Sequence, residues 1–202
     1  MLSDARFVHL QDTPTVVCPP TLSAASSFFE SVGVSLEQVP LGPTVGYRKR
    51  AKLAVRDCIE NNLAQIKIGL FEQGSHKVIA IPHCMVHDPM INLAAASIES
   101  AVKRSGLRGY NEASRRGHLR YLQLTVDALG RVQVVLVWNA KRIGQLPMGK
   151  LKKFREELVS TQERWAMTAS SSRRWELHSL WNNFQPDRSN VIFGESWQLV
   201  QG

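Results

Sequence analysis

Two short runs of the chain hold its most chemically informative residues. In Gly46-Tyr47-Arg48-Lys49-Arg50-Ala51-Lys52, four cations fall within five positions. On an extended strand Arg48, Arg50 and Lys52 project to one face, and Tyr47, Lys49 and Ala51 to the other. Cations on one face then lie about 7 Å apart, close to the spacing of successive phosphates in a nucleic acid. A solvent-facing charged edge strand would carry the same pattern. The second run, Ser114-Arg115-Arg116-Gly117-His118-Leu119-Arg120-Tyr121, interleaves cations with rings. Guanidinium groups grip phosphate oxygens in pairs, and tyrosine or histidine rings stack on unpaired bases. Tyr121 could equally belong to a core. The candidate nucleic-acid-binding residues are therefore Arg48, Arg50, Lys52, Arg115, Arg116, Arg120 and Tyr121.

Other chemically suggestive groups carry less. His83, Cys84 and His87, with His76 nearby, have metal-ligand types but no paired CxxC and no second cysteine cluster. A structural thiol suits Cys84 better than a ligand or a nucleophile. Four of the five tryptophans follow residue 160. They suggest base-stacking platforms, but aromatics at strand or helix spacing usually belong to a core. The sequence has no GxGxxG, phosphate-loop or HExxH pattern. No catalytic, cofactor-binding or metal-binding residue is assigned.

Charge supports the nucleic-acid reading. The 202 residues carry 25 Lys or Arg against 17 Asp or Glu, a net charge of +8 with a pI near 9.8. Between Ala101 and Arg155 stand thirteen Lys or Arg and two acids, Glu112 and Asp127. A balance of this kind favours polyanionic partners, nucleic acid before membrane. Three cysteines form no disulfide framework and suit a reducing compartment. No apolar run approaches the ~18 residues of a membrane span, and no signal pattern opens the chain. The expectation is a cytoplasmic protein, or an organellar one in a eukaryote, without a membrane partner.

The elements that must position these residues can be read from periodicity. Residues 1–20 look irregular, and Thr21 caps a helix through Phe29 to Val32, broken by Gly33, Pro40, Gly42 and Pro43. Strand-like runs follow at Tyr47–Arg56, Ala64–Phe71 and Lys77–Ile81. Pro89 opens a helix with Ile91, Ala94, Ala95, Ile98, Ala101 and Val102 at helical spacing, ending near Gly106. A basic loop, Leu107 to Gly117, leads into a hairpin, Leu119–Val126 and Arg131–Trp138, turning at Asp127 to Gly130. A second helix runs from Met148 to Trp165, and strands are expected at Trp175–Trp181 and Val191–Val200. The implied class is α+β, with a largely antiparallel or mixed sheet and about three helices packed on it. Residues 1–45 form an N-terminal extension with one helix, packed on a main domain of residues 46–202.

These motifs also carry a resemblance. Gly46 to Val55, Ile68 to Glu72 with Ser75 to Ile79, Ile81 to Cys84 and Asp88 to Asn92 follow in order. Leu119 to Leu124, Val135 to Trp138, His178 to Phe184 and Asn190 to Gly194 continue the series. The succession, from Tyr47 to Gly202, resembles the central region of S-adenosylmethionine-dependent RNA (uracil-5-)methyltransferases, which act on tRNA or 23S rRNA. The resemblance implies a module that recognises structured RNA and positions a target uridine, with Arg48 and Arg50 at RNA-contacting positions and Arg120 and Tyr121 on another RNA-facing strand. The catalytic domain would lie on the same chain or on a separate polypeptide and would hold S-adenosylmethionine. Its glycine motif, Asp-Pro-Pro segment and nucleophile loop are not found in this sequence, so none of that cofactor is expected on this chain. Cys84 matches one ligand of the iron–sulfur cluster that some members carry, but the upstream cysteine trio is missing, so no cluster is expected. A stand-alone, non-catalytic RNA-associated protein is the rival reading.

Overall fold

The computed structural model describes residues 20–35, 43–60, 63–168, 175–188 and 191–202. It divides into two compact units, residues 1–44 and 45–202. In the first unit, helix α1 (Pro20–Ser31) begins one residue before the expected Thr21 cap. The irregular stretch before residue 20, Cys18, the breakers Pro40 and Gly42, Asn190 and the Trp165 side chain lie outside the described residues.

The second unit is built on one seven-stranded sheet: β1 (Arg50–Glu60), β2 (Leu63–Phe71), β3 (Val78–Ala80), β4 (Leu119–Val126), β5 (Arg131–Trp138), β6 (Glu176–Phe184) and β7 (Ser196–Gln201). Its order is β3-β2-β1-β4-β5-β6-β7. Every neighbour is antiparallel except β5 and β6, which run parallel. A parallel pair needs a crossover rather than a hairpin, and helix α3 (Met148–Thr168) lies in that connection. Helix α2 (Pro89–Ser105) joins β3 to β4. The fold is α+β with a mixed sheet.

Helix α2 starts and stops where its residues dictate. Asp88 accepts the Met90 amide at 2.8 Å, Pro89 takes the first turn, and Gly106 ends the helix in the left-handed region (φ 70°) with Lys103 and Arg104 in the last turn. Its apolar side (Ile91, Ala94, Ile98, Ala101 and Val102), with Leu151, Phe154 and Leu158 of α3, packs into the core formed with the sheet. The ladder there aligns Leu53, Leu122, Leu136 and Asn182 in one row, and Ala51, Leu124, Val134 and Leu180 in the next. Asn182 is tolerated in that core because its Oδ1 accepts the Trp138 indole N–H at 2.8 Å.

Several strand boundaries differ from the expectation, the first strand running on to Glu60 and the sixth to Phe184, and two of the differences bear on the face described below. The first strand begins at Arg50, not Tyr47, because residues 46–48 pair with the segment before α2: Gly46 N–H donates to Met85 O, Arg48 N–H to Val86 O, and Asp88 N–H to Arg48 O. The last strand covers only Ser196–Gln201. Residues 191–195 instead belong to an arm held by the side chains of Asn183 and Gln185.

Candidate nucleic-acid interface

Because β1 sends Ala51, Leu53 and Val55 into the core, period two sends Arg50, Lys52, Ala54 and Arg56 to the opposite face, free of the helices α2 and α3 of this unit and in that sense helix-free. Register carries that face across the sheet. Gly69, Ala54, Tyr121, Val137, Asn183 and Trp197 form one row from β2 to β7. The sheet here is not bare, since Val135 and Val137 are buried. After β6, Gln185 and Asp187 meet Arg120 of β4, and Phe193 meets β1, where the Lys52 ammonium stands 5.0 Å from its ring centre. Beside the arm lies an open cleft of about 890 Å³, lined among others by Lys52, Phe71, Tyr110, Arg115, Arg120, Tyr121 and Arg188.

The cleft is braced by two inward-turned arginines. Arg56 is 4% exposed and Arg120 3%. Arg56 donates to Val55 O at 2.9 Å, Arg120 O at 2.6 Å, the Tyr121 hydroxyl at 3.2 Å and Glu112 Oε1 at 2.5 Å. Its guanidinium also lies 4.9 to 5.4 Å from the rings of Tyr121, Phe71 and Tyr110. Arg120 sits where a bulge shifts the β4–β5 register between Leu119 and Tyr121. It donates to the main-chain oxygens of Gln185 and Asp187 at 2.8 and 2.6 Å and lies 4.6 Å from the Tyr110 ring centre. Each such cation–ring contact contributes about 1 kcal/mol, more where water is excluded. The two side chains tie β1, β4, the arm and the 107–118 loop into one wall.

That loop is itself fixed. Asp57 accepts the Arg108 Nε–H and the Gly109 N–H, both at 2.7 Å. Tyr110 N–H is shared between Val55 O and Leu119 O. Gly109 has to be glycine, since a Cβ there would lie 2.6 Å from the backbone of Arg56. Arg115 takes φ 58° at the loop apex, so Arg115 and Arg116 stand in solvent on a braced turn. His118 Nδ1 accepts the Arg108 N–H at 3.0 Å. Burial, then the Lys150 and Arg108 cations, hold its pKa below the ordinary 6.5 against the opposing Asp57. Burial likewise lowers His87, helped by Arg48 and opposed by the Asn92 hydrogen bond.

The structure therefore sorts the sequence candidates into three groups. Lys52, Arg115, Arg120 and Tyr121 line the cleft. Arg50 shares the helix-free face beside it, and Arg116 stands on the rim loop. Arg48 lies outside β1, exposed beside the 85–88 segment and away from the cleft lining. Arg120 departs from the surface contact expected of it: the bulge turns it inward, and its Nη1 donates to two carbonyls. Sequence reasoning missed Arg56, Tyr110, Glu112 and Arg188. Continuing the two-residue alternation from Arg50 and Lys52 would have reached Arg56. Arg188, in an irregular loop, carries no such signal. Of the tryptophans, Trp138 and Trp175 are buried, whereas Trp197 is 46% exposed, against the core expectation. Cys58 and Cys84 are half-buried, and among the described residues no three His, Cys, Asp or Glu side chains gather to hold a metal. No described helix is long and apolar enough to cross a membrane.

Ion pairing is uneven among the cations of the described residues: several are matched by a carboxylate, whereas others, on this face and on α3 (Lys150, Lys153 and Arg155), are not. Lys103 pairs with Glu99, Arg104 with Glu157, Arg108 with Asp57 and Arg131 with Asp127. Among the described residues Arg50, Lys52, Arg115, Arg116 and Arg188 have no carboxylate partner, and the nearby acid, Glu112, is taken by Arg56.

No family model matches the sequence. An uncharacterized RNA methyltransferase of Protochlamydia amoebophila is 40% identical over 177 residues, covering 87% of this chain and 42% of that protein. The chain is related to RNA methyltransferases. A second such protein, from Enterococcus faecalis, is 29% identical over 174 residues, covering 83% of this chain and 34% of its own length. The chain thus spans less than half the length of the curated relatives it matches. Its fold is similar to that of the Pyrococcus abyssi tRNA (uracil-54, C5)-methyltransferase, crystallised with S-adenosyl-L-homocysteine. The TM-score is 0.54 at 18% identity, covering 84% of this chain and 35% of that one.

Proposed function

We propose that this chain is the RNA-recognition module of a tRNA or rRNA (uracil-5-)methyltransferase, with the helix-free face as the surface that meets structured RNA. The observation that carries the reading is the cluster of carboxylate-free cations, Arg50, Lys52, Arg115, Arg116 and Arg188, around a cleft lined by Phe71, Tyr110 and Tyr121. Phosphates bind such cations by releasing counterions, and exposed bases bind rings by stacking. Arg120 and Arg56 act as braces that set the positions of Tyr110 and Tyr121. Arg48 contributes at the periphery.

Methyl transfer itself is assigned to a methyltransferase domain outside the matched region. S-adenosylmethionine does not fit the cleft, because its sulfonium would face Lys52, Arg115 and Arg188 with Glu112 already paired. No step through that cofactor is derived from these residues. Cytoplasmic tRNA or rRNA modification follows as the setting.

The test is fluorescence anisotropy with structured tRNA and rRNA hairpins over a salt series. Binding at low salt with a steep, linear fall of log affinity against log salt supports the reading. Wild-type protein that binds neither RNA class at low salt overturns it.

A further inference from the structure

The arm between β6 and β7 is fastened with unusual thoroughness for an irregular segment. Asn183, fully buried, donates from Nδ2 to Gly194 O at 2.8 Å and Ser196 O at 3.2 Å, and accepts the Gly194 N–H at 2.8 Å. Gln185, 3% exposed, donates to Val191 O and Phe193 O at 3.1 and 3.2 Å and accepts the Asp187 N–H. Arg120 holds Asp187 O. At Gly194 any Cβ would lie 1.9 Å from Phe184 O, so the arm passes β6 with no room to spare.

What this fixed backbone presents is an aromatic pair. Phe193 and Trp197 have ring centres 5.2 Å apart at 40°. Trp197 is 46% exposed, with Leu199 beside it on the same strand face at 51%. The Lys52 ammonium approaches Phe193, and Arg50 lies two residues back along the same strand face. Rigid apolar surface left in water beside cations matches a ligand with a flat π-face and a negative backbone. An apolar protein partner would gain nothing from the unpaired charges of Arg50 and Lys52.

We propose that Trp197 and Phe193 form a stacking platform for an unpaired base of RNA, with Lys52 and Arg50 taking the adjoining phosphates. This rests on the RNA reading above and adjoins the cleft, with Lys52 shared between the two. Trp197 lies at the β7 side of the face and the rest of the cleft toward β2, and the arm carries Phe193 to Lys52 at their junction.

Titrating the whole chain with a heptameric oligouridylate and with an RNA hairpin, read by anisotropy and tryptophan emission, tests the assignment. Emission should fall as the oligomer binds, and Trp197→Phe should abolish that quenching while changing affinity no more than about threefold. Trp197→Ala should weaken oligomer binding roughly tenfold, the scale of losing one stacked base. Gly194→Ala, which displaces the arm without removing a ring, should weaken it similarly. If Trp197→Ala binds as tightly as wild type while Arg115→Ala weakens binding, the platform is overturned and the RNA reading stands. Wild-type protein that binds the oligomer without quenching overturns the platform in the same way. If wild-type protein binds neither RNA, both readings fall.

Discussion

The two faces of the sheet answer to different demands. On the helix side every row from β1 to β6 is apolar or, as at Asn182, hydrogen-bonded, and α2 and α3 cover it. On the helix-free side β1, β4 and β7 carry Arg50, Lys52, Arg56, Tyr121 and Trp197. The difference is not simply core against surface, since Arg56 and Arg120 are as buried as many core residues. It lies in what burial is for. One side excludes water to hold the fold, while the other immobilises charge and rings so that their neighbours stand ready in solvent. Substitutions on the two faces should therefore fail differently, the first in stability and the second in RNA affinity.

The largest effect is expected on the helix side. Phe154 is 1% exposed, and Phe154→Ala should cost about 3–5 kcal/mol, the transfer and cavity cost of a buried ring. Thermal melting measures it. RNA affinity of the protein that remains folded should be unchanged. A loss of RNA affinity at temperatures where circular dichroism shows a native spectrum would break the separation of the two faces.

The next effect is expected at Arg56, where the helix-free side buries a charge as a core buries a hydrophobe. Arg56→Ala removes the partner of Glu112 and the hub of three ring contacts, at a cost of about 3 kcal/mol. Arg56→Met keeps the packing and should recover part of that loss. By contrast, Arg115→Ala should shift stability by no more than about 0.5 kcal/mol, as an exposed side chain without a partner does. Equal destabilisation by Arg56→Ala and Arg115→Ala would mean the buried arginine braces nothing.

Ion pairing gives the third prediction. The double change Arg115→Ala with Arg116→Ala should weaken RNA binding and flatten the slope of log affinity against log salt by about 0.9 for each phosphate no longer neutralised. Lys103→Ala with Arg104→Ala removes the same charge from α2, where both cations are already paired with Glu99 and Glu157. That pair of changes should leave the slope nearly unchanged. Equal flattening by both would reduce the contrast to net charge.

The helix side was the more legible of the two faces. Periodicity placed α2 between Pro89 and Gly106 and the Leu119–Trp138 hairpin almost to the residue, because each boundary is set locally by Asp88, Gly106 or the Asp127 turn. The parallel β5–β6 pair was not legible, since pairing across a 37-residue gap leaves no local trace. Of the interface, Lys52, Arg115 and Tyr121 could be seen as types in a pattern. The inward turn of Arg120 could not, because it depends on a bulge and on carbonyls about 65 residues away. Val191-Ile192-Phe193, two β-branched residues and an aromatic, predicts a strand where the structure has the arm. What decides otherwise is the pair of amides at Asn183 and Gln185, which satisfy its backbone more locally than a neighbouring strand would.

The smallest expected effect is at His118, at the base of the cleft's rim loop. Its Nδ1 accepts the Arg108 N–H, so the neutral ring carries its proton on Nε2, and protonating Nδ1 would break that bond. Burial and the Lys150 and Arg108 cations disfavour the charged ring in the folded protein, while the unfolded chain titrates near 6.5. Below that value the unfolded state holds more protons, so stability falls as pH drops through 6.5 toward the lowered folded pKa and levels off beneath it. His87 acts in the same direction. His118→Gln keeps an acceptor for Arg108 but removes the titration, and melting temperatures between pH about 5 and about 7.5 should then depend less on pH than in wild type. Because the ring is only half-buried, the change should be modest. It should also be accompanied by weaker RNA binding at acid pH in the wild type alone, since the loop His118 anchors is the one that carries Arg115 and Arg116. If loop and cleft did not move together, the melting temperature would shift with pH while RNA affinity stayed level.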